Sequence, residues 1–172
     1  KEIVRACFDA GYTTQIFRLN AANMGVPQAR ERIFFVSSRK DLELSKLRLS
    51  FNEIPTAFGA VEKITKKDDY QKMCRSIFDL WKKTKKGRFL SDAHPKGSFF
   101  NEAKVSDKKP VPTIRARGHL WHYSEARSLS ASEYKACSSF PSDMNFLDWS
   151  LRKKVWAMGM SVPPFVMQRI AI

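Results

Sequence analysis

Cysteine is scarce. Cys7, Cys74 and Cys137 are odd in number and share no CxxC spacing, which argues against a disulfide framework or a zinc knuckle and suits a reducing cytoplasm. No uninterrupted apolar run approaches the roughly 20 residues of a membrane span. Neither end has a basic stretch leading into an apolar one, so no secretory signal is visible. A starting methionine is missing too: the chain opens on Lys1 inside a helical pattern, which points to a cut or incomplete chain. There are no internal repeats. Acidic side chains are few, 17 against 31 Lys and Arg, for a net charge of +14. What is present is enough for a core, because 43% of the 172 residues are hydrophobic and 13 are Phe, too apolar for a disordered tail. The length fits one ordinary domain, or a core segment with a small second lobe.

The excess charge is concentrated. Residues 61 to 127 hold 17 basic and 8 acidic side chains, against 9 and 6 in residues 1 to 60 and 5 and 3 in residues 128 to 172. A basic lobe between near-neutral segments is what a polyanion-facing insertion looks like, since each phosphate neutralised by Lys or Arg releases counterions. A lysine-rich face that merely keeps the protein in solution has the same signature.

Ile3, Val4, Cys7 and Phe8 fall at helical spacing, and Gly11 sits where a C-cap would. Tyr12 to Leu19 then alternates as a strand, with Tyr12, Thr14, Ile16 and Arg18 on one side. Asn20 to Gln28 reads as a loop and Arg32 to Ser38 as a second strand, the two being neighbours in a larger sheet. Asp41 to Leu49 is predicted as a short helix. A capping box at Thr65 to Asp68 is expected to precede a helix carrying Tyr70, Met73, Cys74, Ile77 and Trp81 on one stripe, with Lys82, Lys83, Lys85 and Lys86 crowding its end. Those lysines suit the helix dipole as well as a phosphate. Arg88 to His122 is irregular and loop-rich. Ser130 to Glu133 is a second capping box, opening a helix that Phe140-Pro141 ends. A further helix over Asp148 to Met158 is expected to stop at Gly159, and Pro163-Pro164 to start a last one running to Ile172.

Three blocks carry a resemblance. GVPQARERIFFV (25–36) is similar to the Gln-x-Arg-x-Arg motif of the DNA (cytosine-5) methyltransferases, RSLSASEYKACSSFP (127–141) to their Arg-x-Leu-(Thr/Ser)-x-x-Glu block, and GMSVPP (159–164) to their Gly-Asn-Ser-Val-Pro-Pro block. Order and spacing match the closing half of that family, with a variable basic insert between the blocks. The family's glycine loop, Pro-Cys nucleophile and Glu-Asn-Val segment do not occur. The resemblance therefore implies an α/β fold: the C-terminal part of an S-adenosylmethionine-dependent methyltransferase sheet domain plus a small mixed target-recognition lobe. Residues 1–60 would be part of the catalytic domain, 61–126 the target-recognition region and 127–172 a helical return segment packing on the catalytic domain. Met160 departs from the pattern, where asparagine is usual.

The family's chemistry explains the arginines. Carbon 5 of cytosine is a poor nucleophile, so a cysteine thiolate adds to carbon 6 and the resulting enamine attacks the methyl of S-adenosylmethionine. Charge builds toward O2 and N3, and a guanidinium held there in a dry pocket stabilises it. The resemblance assigns this to Arg30 and Arg32, with Gln28 bracing the loop, and places Met160, Ser161 and Val162 at the cofactor. None of the three cysteines reads as a nucleophile; each falls on an apolar helical stripe and is expected in the core. His94, His119 and His122 have no ligand set at metal spacing, so no metal is expected and the histidines are read as surface or DNA-facing.

Residues 61 to 126 would read double-stranded DNA in the major groove while the target cytosine is flipped out. Arg115 and Arg117, beside Gly118, are the candidate base readers. Lys82, Lys83, Lys85 and Lys86 are the candidate phosphate clamps. Trp121, His122 and Tyr123 either stack on bases or form the lobe's own core. Three functions fit: part of an active methyltransferase of a restriction-modification system, inactive alone and needing an N-terminal segment with the nucleophile; a catalytically inactive DNA-binding module; or an unrelated basic, RNA-binding domain.

Overall fold

Gly11, at a φ of 88° that favours glycine, turns the chain from a first helix into a hairpin. In the computed structural model, which describes residues 1–171, the helix is α1 (Glu2–Asp9) and the hairpin strands are β1 (Tyr12–Asn20) and β3 (Glu31–Arg39). They pair antiparallel throughout, from Tyr12 opposite Arg39 to Asn20 opposite Glu31. Opposed residues share a face, so Phe17, Leu19, Phe34 and Arg32 lie on one side and Ile16, Ile33 and Phe35 on the other. The first side is covered: Leu19 joins Met24, Val26 and Val166 in a small core flanked by Phe17, Phe34, Leu49, Phe51 and Ile170. The second side is bare, with Ile33 61% and Ile16 55% exposed.

Between the strands, a 3-10 turn (Ala21–Met24) and the short β2 (Gln28–Ala29) carry the chain over the hairpin's end. Asn20 caps that turn by accepting from the Ala22 N–H. The larger core lies beyond. It gathers Phe58 and Val61 of α2 (Phe58–Glu62), Val105, Val111, Ile114 and Leu120 around the short strands, Leu129, Tyr134 and Cys137 of the α4 region (Ala131–Cys137), and Leu151, Val155 and Met158 of α5 (Leu151–Met160). Strands β4 (Arg88–Phe89), β5 (Ala103–Lys104) and β7 (Leu120–Trp121) form a sheet with β5 central, while β6 (Val111–Pro112) pairs in parallel with β2. A third cluster of Trp81, Leu90 and Trp121 seats α3 (Arg75–Lys83). Helix α6 (Pro164–Ala171) returns to the hairpin through Val166.

The Arg-x-Leu-Ser-x-x-Glu block is a structural clasp. Ser130 accepts from the Glu133 N–H at 3.2 Å, and the Glu133 carboxylate accepts from the Ser130 N–H at 2.7 Å, a reciprocal capping box. The buried Arg127 donates through both terminal nitrogens to the same buried carboxylate, at 2.7 and 2.9 Å. Burial alone would lower the Arg127 pKa, but the two carboxylates it meets, Glu133 and Glu125, raise it on balance.

Several expected elements fold differently. Only Lys40–Leu42 is helical, as a 3-10 turn, in the stretch predicted as a helix from Asp41 to Leu49. Its apolar Leu49 and Phe51 cover the hairpin instead. Thr65 opens no helix; its hydroxyl donates back to the Val61 carbonyl, and Asp68 accepts from the Ser132 N–H and hydroxyl, holding the first turn of α4 from outside. The helix after it begins only at Arg75, so Tyr70, Met73 and Cys74 are not on its stripe. Gly159 does not stop α5, which runs through it to Met160. Ile172 lies outside the described residues. Among those described, no helix is long and apolar enough to cross a membrane.

Candidate active site and nucleic-acid interface

Gln28, Arg30 and Arg32 recur every second residue along extended backbone, so their side chains leave the same side of the chain. They meet different surroundings. Gln28 is buried; its amide nitrogen donates to the Cys137 carbonyl at 3.3 Å, and its oxygen accepts from the Ile114 N–H at 3.2 Å. Arg30, 3% exposed, donates to the carbonyls of Ile114 at 2.9 Å, Gly159 at 3.0 Å and Ser161 at 2.9 Å. Burial, and then the neighbouring charge of Arg32, lower its pKa to about 10. Arg32 is exposed, and among the described residues its guanidinium donates only to the carbonyl of adjacent Glu31, at 2.6 Å.

Arg30 therefore ties two distant segments, around residue 114 and over 159–161, to its own loop, and its terminal nitrogens are committed to backbone. Arg32 has a guanidinium that can turn toward a ligand. Both border one crevice with Leu19, Ala21, Phe34, Val162, Pro163 and Val166, so two of the sequence blocks converge there. Gly159 makes this possible: a Cβ on it would lie 2.5 Å from the Arg115 carbonyl carbon and 2.6 Å from the Ala116 nitrogen. Its lack of a side chain lets α5 approach the 113–116 backbone, whose Thr113 hydroxyl also donates to the Ala29 carbonyl.

Met160 is 64% exposed and Val162 is exposed, while the half-buried Ser161 donates its hydroxyl proton to the Met158 carbonyl at 2.9 Å. These three offer an apolar surface and one hydroxyl oxygen with acceptor capacity left. That donor set fits one edge of S-adenosylmethionine, and the polar partners for its ribose and amino-acid groups are not among them.

In the basic lobe, Arg115 is already engaged, donating to the Phe100 carbonyl at 3.2 Å and to the Asn101 side chain. Arg117 is exposed and has no hydrogen bond or ion pair among the described residues. Lys82, Lys83, Lys85 and Lys86 are all exposed around the end of α3; Lys82 lies 4.4 Å over the Phe78 ring, and Lys86 faces Asp107 at 3.3 Å and lies over Tyr123. The lysines gather around the end of α3, the Arg115 guanidinium lies over the Phe89 ring, and Arg117 borders a cleft with Arg152 of α5.

Three expectations are corrected here. Cys7 is only half-buried and Cys74 is exposed, because α1 buries nothing and α3 starts after Cys74. The Cys74 thiol is drawn below its usual pKa by the Ser76 hydroxyl and the Ile77 N–H. Cys137 is buried, and burial followed by the Glu133 charge pushes its thiol up. His122 is not at the surface but fully buried. Glu62, His122 and Glu125 bring ligand atoms within 4.8 Å of one another, a set invisible in sequence because 63 residues separate its ends. Each is nonetheless used: Glu62 accepts from Tyr123 and pairs with His122 Nε2, His122 Nδ1 accepts from the Glu125 N–H, and Glu125 pairs with Lys67 and Arg127. Tyr123 stacks on His122 at 4.4 Å, and Trp121 is buried, so these aromatics build the lobe's core.

Comparison with known proteins decides the family. The family model for C-5 cytosine-specific DNA methylases matches residues 1–172. The chain belongs to that family. It is 28% identical over 177 residues to type II methyltransferase M1.HphI of Haemophilus parahaemolyticus, a match covering 94% of this chain and 47% of that protein. A 51-residue stretch is 43% identical to type II methyltransferase M.FnuDI of Fusobacterium nucleatum, covering 30% of this chain and 15% of that one. The fold is similar to a solved Escherichia coli prophage protein described as a DNA modification methyltransferase, with a TM-score of 0.74 at 14% identity over 94% of this chain and 60% of that one. It is also similar to the Entamoeba histolytica methyltransferase EhMeth, with a TM-score of 0.59 at 15% identity, covering 99% and 55%. The chain spans about half the length of curated relatives such as M1.HphI, and its fold is the mixed α/β arrangement of solved methyltransferases.

Proposed function

We propose that the chain is the transition-state and target-recognition part of a DNA cytosine-5 methyltransferase of a restriction-modification system, working with a further segment that carries the nucleophile. The observation that carries this is the division of labour between two arginines: Arg30 is locked into three carbonyls, which fixes the backbone from which the free Arg32 projects. Arg32 is then the group that meets cytosine O2 as charge develops, and Gln28 and Arg30 are positioning residues. S-adenosylmethionine supplies the methyl group, and Met160, Ser161 and Val162 form one edge of its site.

The bare apolar side of the hairpin, with Ile16, Ile33 and Phe35, is the surface on which the further segment would pack, because an open patch of that kind marks an interaction site. Residues 61–126 act as the target-recognition region on double-stranded DNA. Within it Arg117 is the stronger base reader, since Arg115 is held by Phe100 and Asn101, and the α3 lysines act on phosphates.

The test is transfer of labelled methyl groups from S-adenosylmethionine to DNA. The 172-residue chain alone should give none, and adding a segment bearing the Pro-Cys and glycine-loop motifs should restore it. Transfer by the chain alone overturns the division of labour. Sequence-selective DNA binding without transfer in the reconstituted pair would instead indicate an inactive DNA-binding module.

A further inference from the structure

A cleft of about 310 Å³ opens between the recognition lobe and the start of α5, lined by Gln71, Glu102, Ala116, Arg117, Gly118, His119, Arg152 and Val155. It shares no residue with the crevice around Arg30 and Arg32. Its volume is at the lower end of the roughly 300 to 1,000 Å³ of small-ligand sites. Two arginines from different elements reach its mouth, and neither Arg117 nor Arg152 has a carboxylate partner among the described residues. Deeper, the His119 Nδ1 atom is buried without a hydrogen-bond partner. The Glu102 carboxylate accepts from the Trp121 indole N–H through one oxygen, at 2.6 Å, and its other oxygen has no hydrogen-bond partner among the described residues. The His119 ring leans on Trp121 with centroids 5.5 Å apart.

We propose that this cleft binds a single unstacked nucleotide, its phosphate between Arg117 and Arg152 and its base edge against Glu102, His119 and the Gln71 amide. Paired guanidinium groups suit a phosphate because each presents a planar fork of donors. A free carboxylate oxygen beneath them suits an exocyclic amine, and an unpartnered imidazole nitrogen suits a ring atom of a base. The same nucleotide chemistry could come from a DNA strand or from a free mononucleotide. For the DNA source the inference rests on the proposed methyltransferase reading and reassigns Arg117 from a base edge to a phosphate; binding of a mononucleotide tests the cleft independently.

The experiment titrates the 172-residue chain with the four deoxynucleoside monophosphates and follows the His119 and Trp121 ring signals by NMR. Saturable shifts are expected with the amine-bearing bases, weakest with thymidine monophosphate. Arg117→Ala and Arg152→Ala should each weaken binding by about tenfold, as loss of a charge-assisted hydrogen bond does. Both side chains are exposed, and Arg152→Lys provides a variant that keeps the charge without the fork. A short duplex containing 2-aminopurine separates the sources: rising fluorescence together with displacement of the mononucleotide assigns the site to DNA, and no displacement assigns it to a free nucleotide. Absent ring shifts, equal shifts with inorganic phosphate, or unchanged affinity in Arg152→Ala would overturn the proposal. Mononucleotide binding without methyl transfer in the reconstituted enzyme would leave the cleft standing and the methyltransferase reading refuted.

Discussion

Replacing Arg30 with alanine removes three donors from buried or half-buried carbonyls at Ile114, Gly159 and Ser161. At about 1 to 1.5 kcal/mol net for each bond, the loss would be roughly 3 to 4.5 kcal/mol. Two effects reduce it. The Arg30 Nε is buried without a partner, and the desolvated guanidinium itself carries a penalty that alanine does not. A net destabilisation of about 2 to 4 kcal/mol remains. In a chain of 150 to 250 residues each kcal/mol moves Tm by about 2 to 4 °C, so Tm should fall by about 4 to 16 °C. Urea unfolding followed by tryptophan fluorescence should show a lower midpoint with an unchanged slope. Arg30→Lys should recover little, because one ammonium cannot serve three carbonyls as a planar fork does. Arg32→Ala should shift stability by no more than about 0.5 kcal/mol, yet in the reconstituted enzyme it should remove about 2 to 4 kcal/mol of transition-state stabilisation. Equal destabilisation by the two alanine variants, or an unaffected Arg30→Ala, would refute the division between a positioning and a reacting arginine.

Gly159→Ala places a Cβ against the Arg115–Ala116 backbone; overpacking of about 1 to 3 kcal/mol should exceed the roughly 1 kcal/mol of helix propensity gained, and thermal denaturation reads the difference. Glu133→Ala leaves the buried Arg127 without its main partner and should destabilise by about 3 to 5 kcal/mol, with a double-mutant cycle against Arg127 showing strong coupling. His119 is held below its ordinary 6.5 by burial and then Arg152, His122 by burial and then Arg127. The unfolded chain therefore takes up these protons first, and stability should be level above pH 6.5 and decline below it. Glu125, drawn from 4.5 to about 2 by hydrogen bonds from Lys67 and Arg127, adds a second loss between those values; a Tm that stays flat from pH 7 to 5 contradicts the first limb. Replacing Lys82, Lys83, Lys85 and Lys86 together should flatten the salt dependence of DNA binding by about 3 units, since Lys86 is already engaged by Asp107. Arg117→Ala should relax preference at one base pair by about 1 to 3 kcal/mol if Arg117 reads a base edge, and weaken all duplexes alike if it holds a phosphate in the cleft beside Arg152; binding titrations on cognate and scrambled duplexes at several salt concentrations separate the two.

Local chemistry was legible where it was self-contained. The Ser130 capping box, the strands on either side of the Gln-x-Arg-x-Arg loop and the Pro164 helix start each depend on residues within a few positions of one another, and each forms as the pattern predicts. The predicted helix over 41–49 does not form: of its leucines only Leu49 packs on the hairpin face, while Leu42, Leu44 and Leu47 stay exposed, so their helical spacing has no apolar surface to bury against. Cys74 misled for a related reason: a periodic stripe was continued past the true helix start, so an exposed thiol read as core. In the candidate site, spacing alone could not separate Arg30 from Arg32. The two are equivalent in sequence and differ only through partners 84 to 131 residues away. Arg152 carried no signal at all, since nothing in its helix distinguishes it from Lys153 and Lys154 until Arg117 and His119 come beside it.

The carbonyls that receive Arg30 explain why sequence blocks so far apart keep company. Ile114 follows the strand that pairs with β2, Gly159 lies in the last turn of α5, and Ser161 caps that helix before α6. A guanidinium can satisfy all three only if the 113–116 backbone touches α5, which requires a glycine at 159, and only if Gln28 holds Ile114 in register from the same loop. Each block is thus a condition for the others: a side chain at 159 would force the 113–116 backbone away, free the Ile114 carbonyl, and release Arg30 into the space beside Arg32. Two mobile guanidinium groups would then repel at the crevice mouth instead of one fixed group aiming the other. A preorganised donor stabilises developing charge far better than one that must reorient during the reaction. The architecture therefore commits one arginine to backbone and leaves its neighbour exposed, which is the arrangement the proposed methyltransferase role of Arg32 requires.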